Sequence, residues 1–126
     1  MELVQNFVNG QHVPSDSSEF IDIYEPATGE IYGQLKDSNA NDIDHAVISA
    51  KMAFPVWSDL NVSERAVHLN NIAKGIEKRL DEFAEFESRD TGKPISLSRS
   101  LDIPRSVLNF KFFASSKFLS ALINMA

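Results

Sequence analysis

The spacing of apolar residues changes about a third of the way along this chain of 126 residues. Up to residue 37, short apolar runs alternate with polar or turn-forming residues, and this pattern predicts strands joined by tight turns. From residue 38 onwards, apolar residues recur every three or four positions, which predicts helices. We therefore expect an α+β chain, with strands and turns over 1–37 and helices over 38–126.

Two turn sequences delimit the predicted strands. Phe7-Val8 leads into Asn9-Gly10, a pair that tolerates the positive φ angles of a tight hairpin turn. A second strand over 20–24 ends in a Pro-x-x-Gly turn, and a third strand follows over 31–35.

The first helix is predicted to start at Ser38 or Asn39, because either residue can cap the free backbone N–H groups of a helix. Asp42 in its opening turn would favour the positive end of the helix dipole. Pro55 is expected to end the helix. One apolar face is formed by Ile43, Ala46, Val47, Ala50 and Phe54.

A second helix is predicted to begin near Asn61, which forms a capping-box pattern with Glu64. Gly75 lies inside this helix, where it suggests close packing. The pattern restarts after Leu80, and Gly92 is expected to end that third helix. The predicted buried stripe of the second helix consists of Val62, Ala66, Leu69, Ile72, Ala73, Ile76 and Leu80.

The segment from Pro94 to the end is predicted to be mostly helical. Pro104 either kinks this helix or opens a new one capped by Asp102. Apolar residues then surround the helix on all sides, as expected of a helix buried inside a larger protein. They are Val107, Leu108, Phe110, Phe112, Phe113, Phe118, Leu119, Leu122 and Ile123.

Composition narrows the possible function classes. The net charge of −6 and the scattered lysines and arginines argue against a nucleic-acid partner. No apolar run is long enough to cross a membrane, and the N-terminal residues show no secretory pattern, so a cytoplasmic location is expected. The absence of cysteine excludes disulfides and thiolate metal sites.

No residue pattern points to a metal or a bound phosphate. His12, His45 and His68 are isolated from one another in the sequence, and the early aspartates lack the spacing of a calcium loop. The five glycines match no phosphate-binding motif. We expect Gly29 and Gly33 to be turn residues on either side of a strand.

An ordered set of short motifs over residues 1–116 resembles the start of the aldehyde dehydrogenase superfamily. These motifs are Phe7-Val8-Asn9-Gly10, residues 25–30, the helix over 46–54, Trp57, Ser63-Glu64-Arg65, Thr91-Gly92-Lys93-Pro94 and Lys111-Phe112-Phe113-Ala114. The resemblance implies an α/β family fold, of which this chain is the N-terminal α+β part of the cofactor-binding domain, without the Rossmann-type sheet.

The runs 102–107 and 109–116 look most like the 2-aminomuconic semialdehyde dehydrogenase branch, whose substrates are small semialdehydes that carry a carboxylate. By this resemblance, Leu101 and Arg105 line the tunnel to the nucleophile, and Arg105 binds the substrate carboxylate. The alternative for Arg105 is a surface ion pair with Asp102, three residues earlier on the same helix.

The resemblance also implies an NAD cofactor, a homo-oligomer and a cysteine nucleophile that forms a covalent intermediate with the aldehyde. No catalytic or cofactor-binding residue of that family lies within this chain, so we expect it to be inactive alone and to bind no NAD by itself. The oligomerisation strands are likewise expected to be absent, and the tail over 117–126 departs from the family pattern. The chain is then either a fragment of the enzyme or a non-catalytic product that acts as an interaction or assembly module.

Overall fold

The computed structural model describes the backbone of residues 2–123 and the side chains of residues 2–115. The chain divides into two compact units, Met1–Ser58 and Asp59–Ala126. The strands are β1 (Glu2–Val4), β2 (Asn6–Val8), β3 (Gln11–Val13), β4 (Phe20–Glu25) and β5 (Glu30–Lys36). The helices are α1 (Ala40–Asp59), α2 (Val62–Lys78), α3 (Leu80–Thr91), α4 (Ile95–Leu97), a π turn (Ser98–Asp102) and α5 (Ile103–Ile123).

The first unit contains a three-stranded sheet in the order β1-β5-β4 and a separate β2–β3 hairpin. Strand β1 was not predicted from the sequence, and it runs parallel to β5, whereas β4 is antiparallel to β5. The change from strands to helices after residue 36 is confirmed.

Both predicted turns are confirmed by backbone geometry. Asn9 and Gly10 have φ angles of 52° and 77°, the two positive values that a type I′ hairpin turn needs. Between β4 and β5, the N–H groups of Thr28 and Gly29 donate to the Glu25 carbonyl at 3.2 and 2.7 Å. Gly29 has a φ of 74°, which explains why glycine occupies that position.

Gly33 is not a turn residue, contrary to the sequence prediction. It is buried in the middle of β5 and pairs with Glu2 of β1. A Cβ atom at this position would lie 3.2 Å from the Glu2 carbonyl oxygen. A side chain here would crowd the backbone of β1, so glycine suits the close approach of a strand that the sequence pattern did not reveal.

Helix α1 begins as predicted but does not end at Pro55. Asn39 Oδ1 accepts hydrogen bonds from the N–H groups of Asn41 and Asp42, at 2.9 and 3.2 Å. The helix then continues through Pro55 to Asp59. Proline removes a single backbone hydrogen bond, here to the carbonyl of Lys51, and an exposed carbonyl can be solvated instead.

The predicted apolar face of α1 is present, but none of its residues is buried. Ile43 and Phe54 keep 58% and 63% of their accessible surface. The small sheet and hairpin of the first unit therefore do not cover this face.

The second unit is helical, and its predicted capping box is confirmed. Asn61 Oδ1 accepts from Glu64 N at 3.0 Å, and Glu64 Oε2 accepts from Asn61 N at 2.8 Å. Ala66 and Ala73 are buried, whereas Ile72 of the predicted stripe is 46% exposed. Helix α5 packs mainly against α2.

Close packing at Gly75 was predicted wrongly. A Cβ atom built on Gly75 meets no atom of the described residues within 4 Å. The most buried residue of α2 is Ala73, which lies two positions before Gly75 and is completely buried. A small residue in a helix indicates that close approach is possible, and only the neighbouring elements decide where it occurs.

Pro104 does not open a separate helix capped by Asp102, because the chain is already helical before it. The helix continues through the π turn, in which the Ile103 N–H donates to the carbonyl of Ser98, five residues earlier. Pro104 has no N–H to donate, and the widened turn lies directly before it. The atypical tail over 117–126 lies outside the residues whose side chains are described.

Candidate functional site

The candidate site is the corner between α3 and α5, which contains Leu101 and Arg105. Helix α3 ends at Gly92, whose φ of 73° allows its N–H to donate to the Ser88 carbonyl at 2.9 Å. Ser88 Oγ donates to the carbonyl of Lys93 at 2.6 Å. The sharp stop predicted at Gly92 is confirmed, and it turns the chain so that residue 93 approaches the π turn.

Lys93 joins two carboxylates at this corner. Its Nζ lies 2.9 Å from Asp102 Oδ2 and 3.7 Å from Glu87 Oε1. The hydrogen bond to Asp102, with the negative charges of both carboxylates, raises the pKa of Lys93 above its ordinary value. The ammonium group therefore ties the end of the π turn to the end of α3.

The π turn contains a buried hydroxyl group. Ser98 is completely buried, and its Oγ makes no hydrogen bond within the described residues. The Ser98 N–H donates to the Pro94 carbonyl at 3.2 Å, so the backbone at this point is satisfied. π turns inside α-helices occur frequently at functional sites.

Helix α5 has one buried and one exposed face. Ile103, Val107 and Ala114 are buried, at 9%, 4% and 3% exposure. The opposite face carries Leu101, Arg105, Leu108 and Phe112, which follow one another at helical spacing and are all exposed. We call this set the exposed stripe. It consists of three apolar side chains and one guanidinium.

Leu101 and Arg105 are both exposed, and their four-residue spacing is the basis for assigning them to one face. Leu101 is 48% exposed and lies in the π turn, and Arg105 lies in the first turn of α5. Asp102 is bonded to Lys93 and forms no ion pair with Arg105. Among the side chains that the structure describes, none forms an ion pair or hydrogen bond with the Arg105 guanidinium.

Lys93 is the residue that the sequence reasoning missed. In the sequence, Lys93 stands out only as part of the motif Thr91-Gly92-Lys93-Pro94. Its partner lies nine residues away, and the two meet only because Gly92 turns the chain back. No periodic pattern in the sequence carries that information.

Other polar candidates show no arrangement suited to a metal. His12 packs edge-on against Phe7, with ring centroids 5.2 Å apart. His45 lies with Asn9 and Ser49 along a groove of about 430 Å³ in the first unit. Within the described residues, no group of three histidine, cysteine or acidic side chains is placed to hold a metal ion.

The N-terminal end of α1 does not fit the phosphates of a dinucleotide. Two of its N–H groups, those of Asn41 and Asp42, are already bonded to Asn39 Oδ1, and the Asp42 carboxylate places a negative charge at the same end. The Ser15 hydroxyl donates to Asp42 Oδ2 at 2.5 Å and, with the Asn39 N–H, holds the pKa of Asp42 below its ordinary value. A carboxylate that stays ionised would repel a phosphate here.

Within the described part of the chain, no helix has both the length and the apolar content that a membrane crossing requires.

Comparison with known proteins gives consistent matches. The model of the aldehyde dehydrogenase family matches residues 12–120. The 2-aminomuconic semialdehyde dehydrogenase of Mus musculus is 46% identical over 114 residues, which is 90% of this chain and 23% of that protein. The 2-hydroxymuconic semialdehyde dehydrogenase of Pseudomonas sp. (strain CF600) is 41% identical over 115 residues, 90% of this chain and 24% of that protein.

A solved structure of PnpE in complex with nicotinamide adenine dinucleotide matches with a TM-score of 0.85 and 38% identity. The match covers 88% of this chain and 23% of PnpE. The chain therefore spans about a quarter of the length of the relatives that it matches.

Proposed function

Because this chain belongs to the aldehyde dehydrogenase family, we propose that it is the N-terminal segment of an enzyme that oxidises a carboxylated semialdehyde. In the complete enzyme, the aldehyde and water give a carboxylic acid, and the hydride is accepted by NAD. The chain spans only 23% of the mouse relative, and this supports the proposal that it is one segment of a longer enzyme.

The observation that carries this proposal is the Arg105 guanidinium of the exposed stripe, which has no partner among the described side chains. Arg105 is exposed between Leu101 and Leu108, which are both at least 48% exposed. A guanidinium can bind a carboxylate through two parallel, charge-assisted hydrogen bonds. Apolar side chains on either side suit the carbon chain of a small semialdehyde. Two of the relatives are named for muconic semialdehydes, which agrees with such a substrate.

We assign no catalytic role to any residue of this chain. The family's nucleophile is a cysteine, and none of the 126 residues is a cysteine. The capped N-terminal end of α1 with its ionised Asp42 does not suit a phosphate either, and in this proposal the cofactor and the covalent chemistry belong to the remainder of the enzyme. Leu101 and Arg105 contribute substrate binding.

The role of Arg105 can be tested in a chimera in which this chain replaces the matching segment of the mouse relative. We expect Arg105→Leu to lower kcat/KM for a carboxylated aldehyde by roughly tenfold to a hundredfold, because a charge-assisted pair is lost. The kcat/KM of the same variant for a neutral aldehyde should be unchanged. Arg99→Leu is the matched control, since Arg99 is exposed in the π turn and already bonded to Asp81 at 2.7 Å. If the ratio of kcat/KM for the carboxylated aldehyde to that for the neutral aldehyde is unchanged in Arg105→Leu, the proposal is wrong.

A second candidate is a non-catalytic module that assembles with other chains. The observation in its favour is the apolar face of α1, which no residue of the first unit covers. Co-purification of the chain with a full-length relative would support this function, and NADH formation from an aldehyde by the chain alone would contradict both candidates.

A further inference from the structure

Asp102 has one cationic side chain three residues later on the same helix, Arg105, and another nine residues earlier, Lys93. Residues three apart on a helix are neighbours, so Asp102 and Arg105 could form an ion pair. Instead, Asp102 Oδ2 accepts a hydrogen bond from Lys93 Nζ at 2.9 Å. The choice leaves the Arg105 guanidinium unpaired among the described residues.

Two features of the corner favour Lys93 over Arg105 as the partner of Asp102, and a third strengthens the resulting pair. The αL residue Gly92 directs Lys93 back towards the π turn. The ammonium group also lies 3.7 Å from Glu87 Oε1, so two carboxylates hold it in place. The Asp102 side chain is only 25% exposed, less than any other acidic partner among the described ion pairs, and the attraction is therefore less screened by water.

We propose that Lys93 is a positioning residue that holds Asp102 away from Arg105 and so keeps the guanidinium available for the substrate carboxylate. The inference rests on the proposed role of Arg105. It adds a residue outside the exposed stripe to the determinants of substrate choice. Lys93 acts through Asp102 and need not touch the substrate.

Removing the Lys93 ammonium group should change the preference for carboxylated aldehydes. Without the ammonium group, Asp102 is free to pair with Arg105 and competes with the substrate carboxylate for the same guanidinium. Exposed pairs at this spacing are weak, so the competition is modest. We expect Lys93→Met to lower the ratio of kcat/KM for carboxylated over neutral aldehydes by about twofold to fivefold in the chimera.

Two double variants separate this mechanism from a change in local charge. Lys93→Met with Asp102→Asn removes the competing carboxylate and should restore the ratio. Lys93→Met with Glu87→Gln has the same net charge but leaves Asp102 in place, so it should not restore the ratio. Rescue by both double variants, or by neither, would overturn the inference.

A second measurement uses the 126-residue chain itself and needs no activity. Phenylglyoxal modifies free guanidinium groups, and peptide mass spectrometry reads the rate at each arginine. Arg105 should react faster than Arg79 and Arg99, which are bonded to Glu82 and Asp81. In Lys93→Met the Arg105 rate should fall by about twofold to fivefold, and adding Asp102→Asn should restore it.

The outcomes distinguish this inference from the proposed function. If Arg105→Leu leaves the substrate ratio unchanged, the proposed function fails, whatever the labelling shows. If Arg105→Leu abolishes the preference while Lys93→Met changes neither the ratio nor the labelling rate, only the positioning role of Lys93 is overturned.

Discussion

Single residues at the α3–α5 corner carry chemical groups in unusual settings. Ser98 holds a hydroxyl that is completely buried and has no partner within the described residues. Lys93 takes the carboxylate that could have neutralised Arg105. A buried polar group without a partner costs free energy, and an exposed cation without a partner is open to a ligand. Ser98 therefore calls for a measurement of stability, and Arg105, whose guanidinium has no partner among the described residues, calls for a measurement of binding.

The Ser98 hydroxyl is expected to lower the stability of the fold. Ser98→Ala removes the unsatisfied group and leaves almost no cavity, so we expect the free energy of unfolding to rise by about 1 kcal/mol. Ser100→Ala, at an exposed position in the same π turn, is the control and should change stability by less than about 0.5 kcal/mol. Urea unfolding followed by circular dichroism measures both. A loss of stability in Ser98→Ala would show that the hydroxyl has a partner in solution.

The helices of the second unit pack through small residues. Ala73 of α2 and Ala84 of α3 are completely buried, and Ala114 of α5 is 3% exposed. Alanine at these positions allows backbones to approach closely, while larger apolar residues such as Phe112 remain on the exposed face. The packing of this unit therefore depends on the absence of side-chain volume at a few positions.

Enlarging one of these alanines should disturb the helix packing. We expect Ala73→Leu to lower the free energy of unfolding by about 1–3 kcal/mol, because the added carbon atoms do not fit at a fully buried position. Lys74→Leu adds the same side chain at the next, exposed position and should have little effect. Thermal unfolding of the two variants provides the comparison, and equal melting temperatures would contradict the packing described for α2.

The chain as a whole leaves much of its apolar surface uncovered. Exposed side chains occur in both units, among them Phe54 of α1 at 63% and Leu108 of α5 at 64%. Exposed apolar helix faces such as those of α1 and α5 are typical of an interface with another polypeptide. This agrees with the proposal that the chain is one segment of a longer enzyme.

The isolated chain is therefore expected to self-associate. Sedimentation velocity should show larger species as the protein concentration rises, because exposed apolar surface is buried on association. Replacing Leu108 and Phe112 with glutamine should reduce this association, whereas Asn109→Gln, on the same helix, should not. A monodisperse monomer with cooperative thermal unfolding would count against the fragment proposal.

The sequence alone was sufficient for features that depend on near neighbours in the chain. The turn at Asn9-Gly10, the capping box of Asn61 and Glu64, and the stop at Gly92 were all predicted and confirmed. Each is determined by a few adjacent residues whose φ angles and hydrogen bonds are local. The ordered motifs also identified the family correctly.

Features that depend on distant residues were decided only by the tertiary structure. Gly33 is glycine because β1 lies against it, and the close packing expected at Gly75 occurs at Ala73 instead. The choice of Lys93 over Arg105 as the partner of Asp102 follows from the chain reversal at Gly92. Periodicity records which face a residue occupies, but it does not record which element will pack against that face. For this reason, the sequence could propose Arg105 as a binding residue but could not show that its guanidinium has no partner among the described residues.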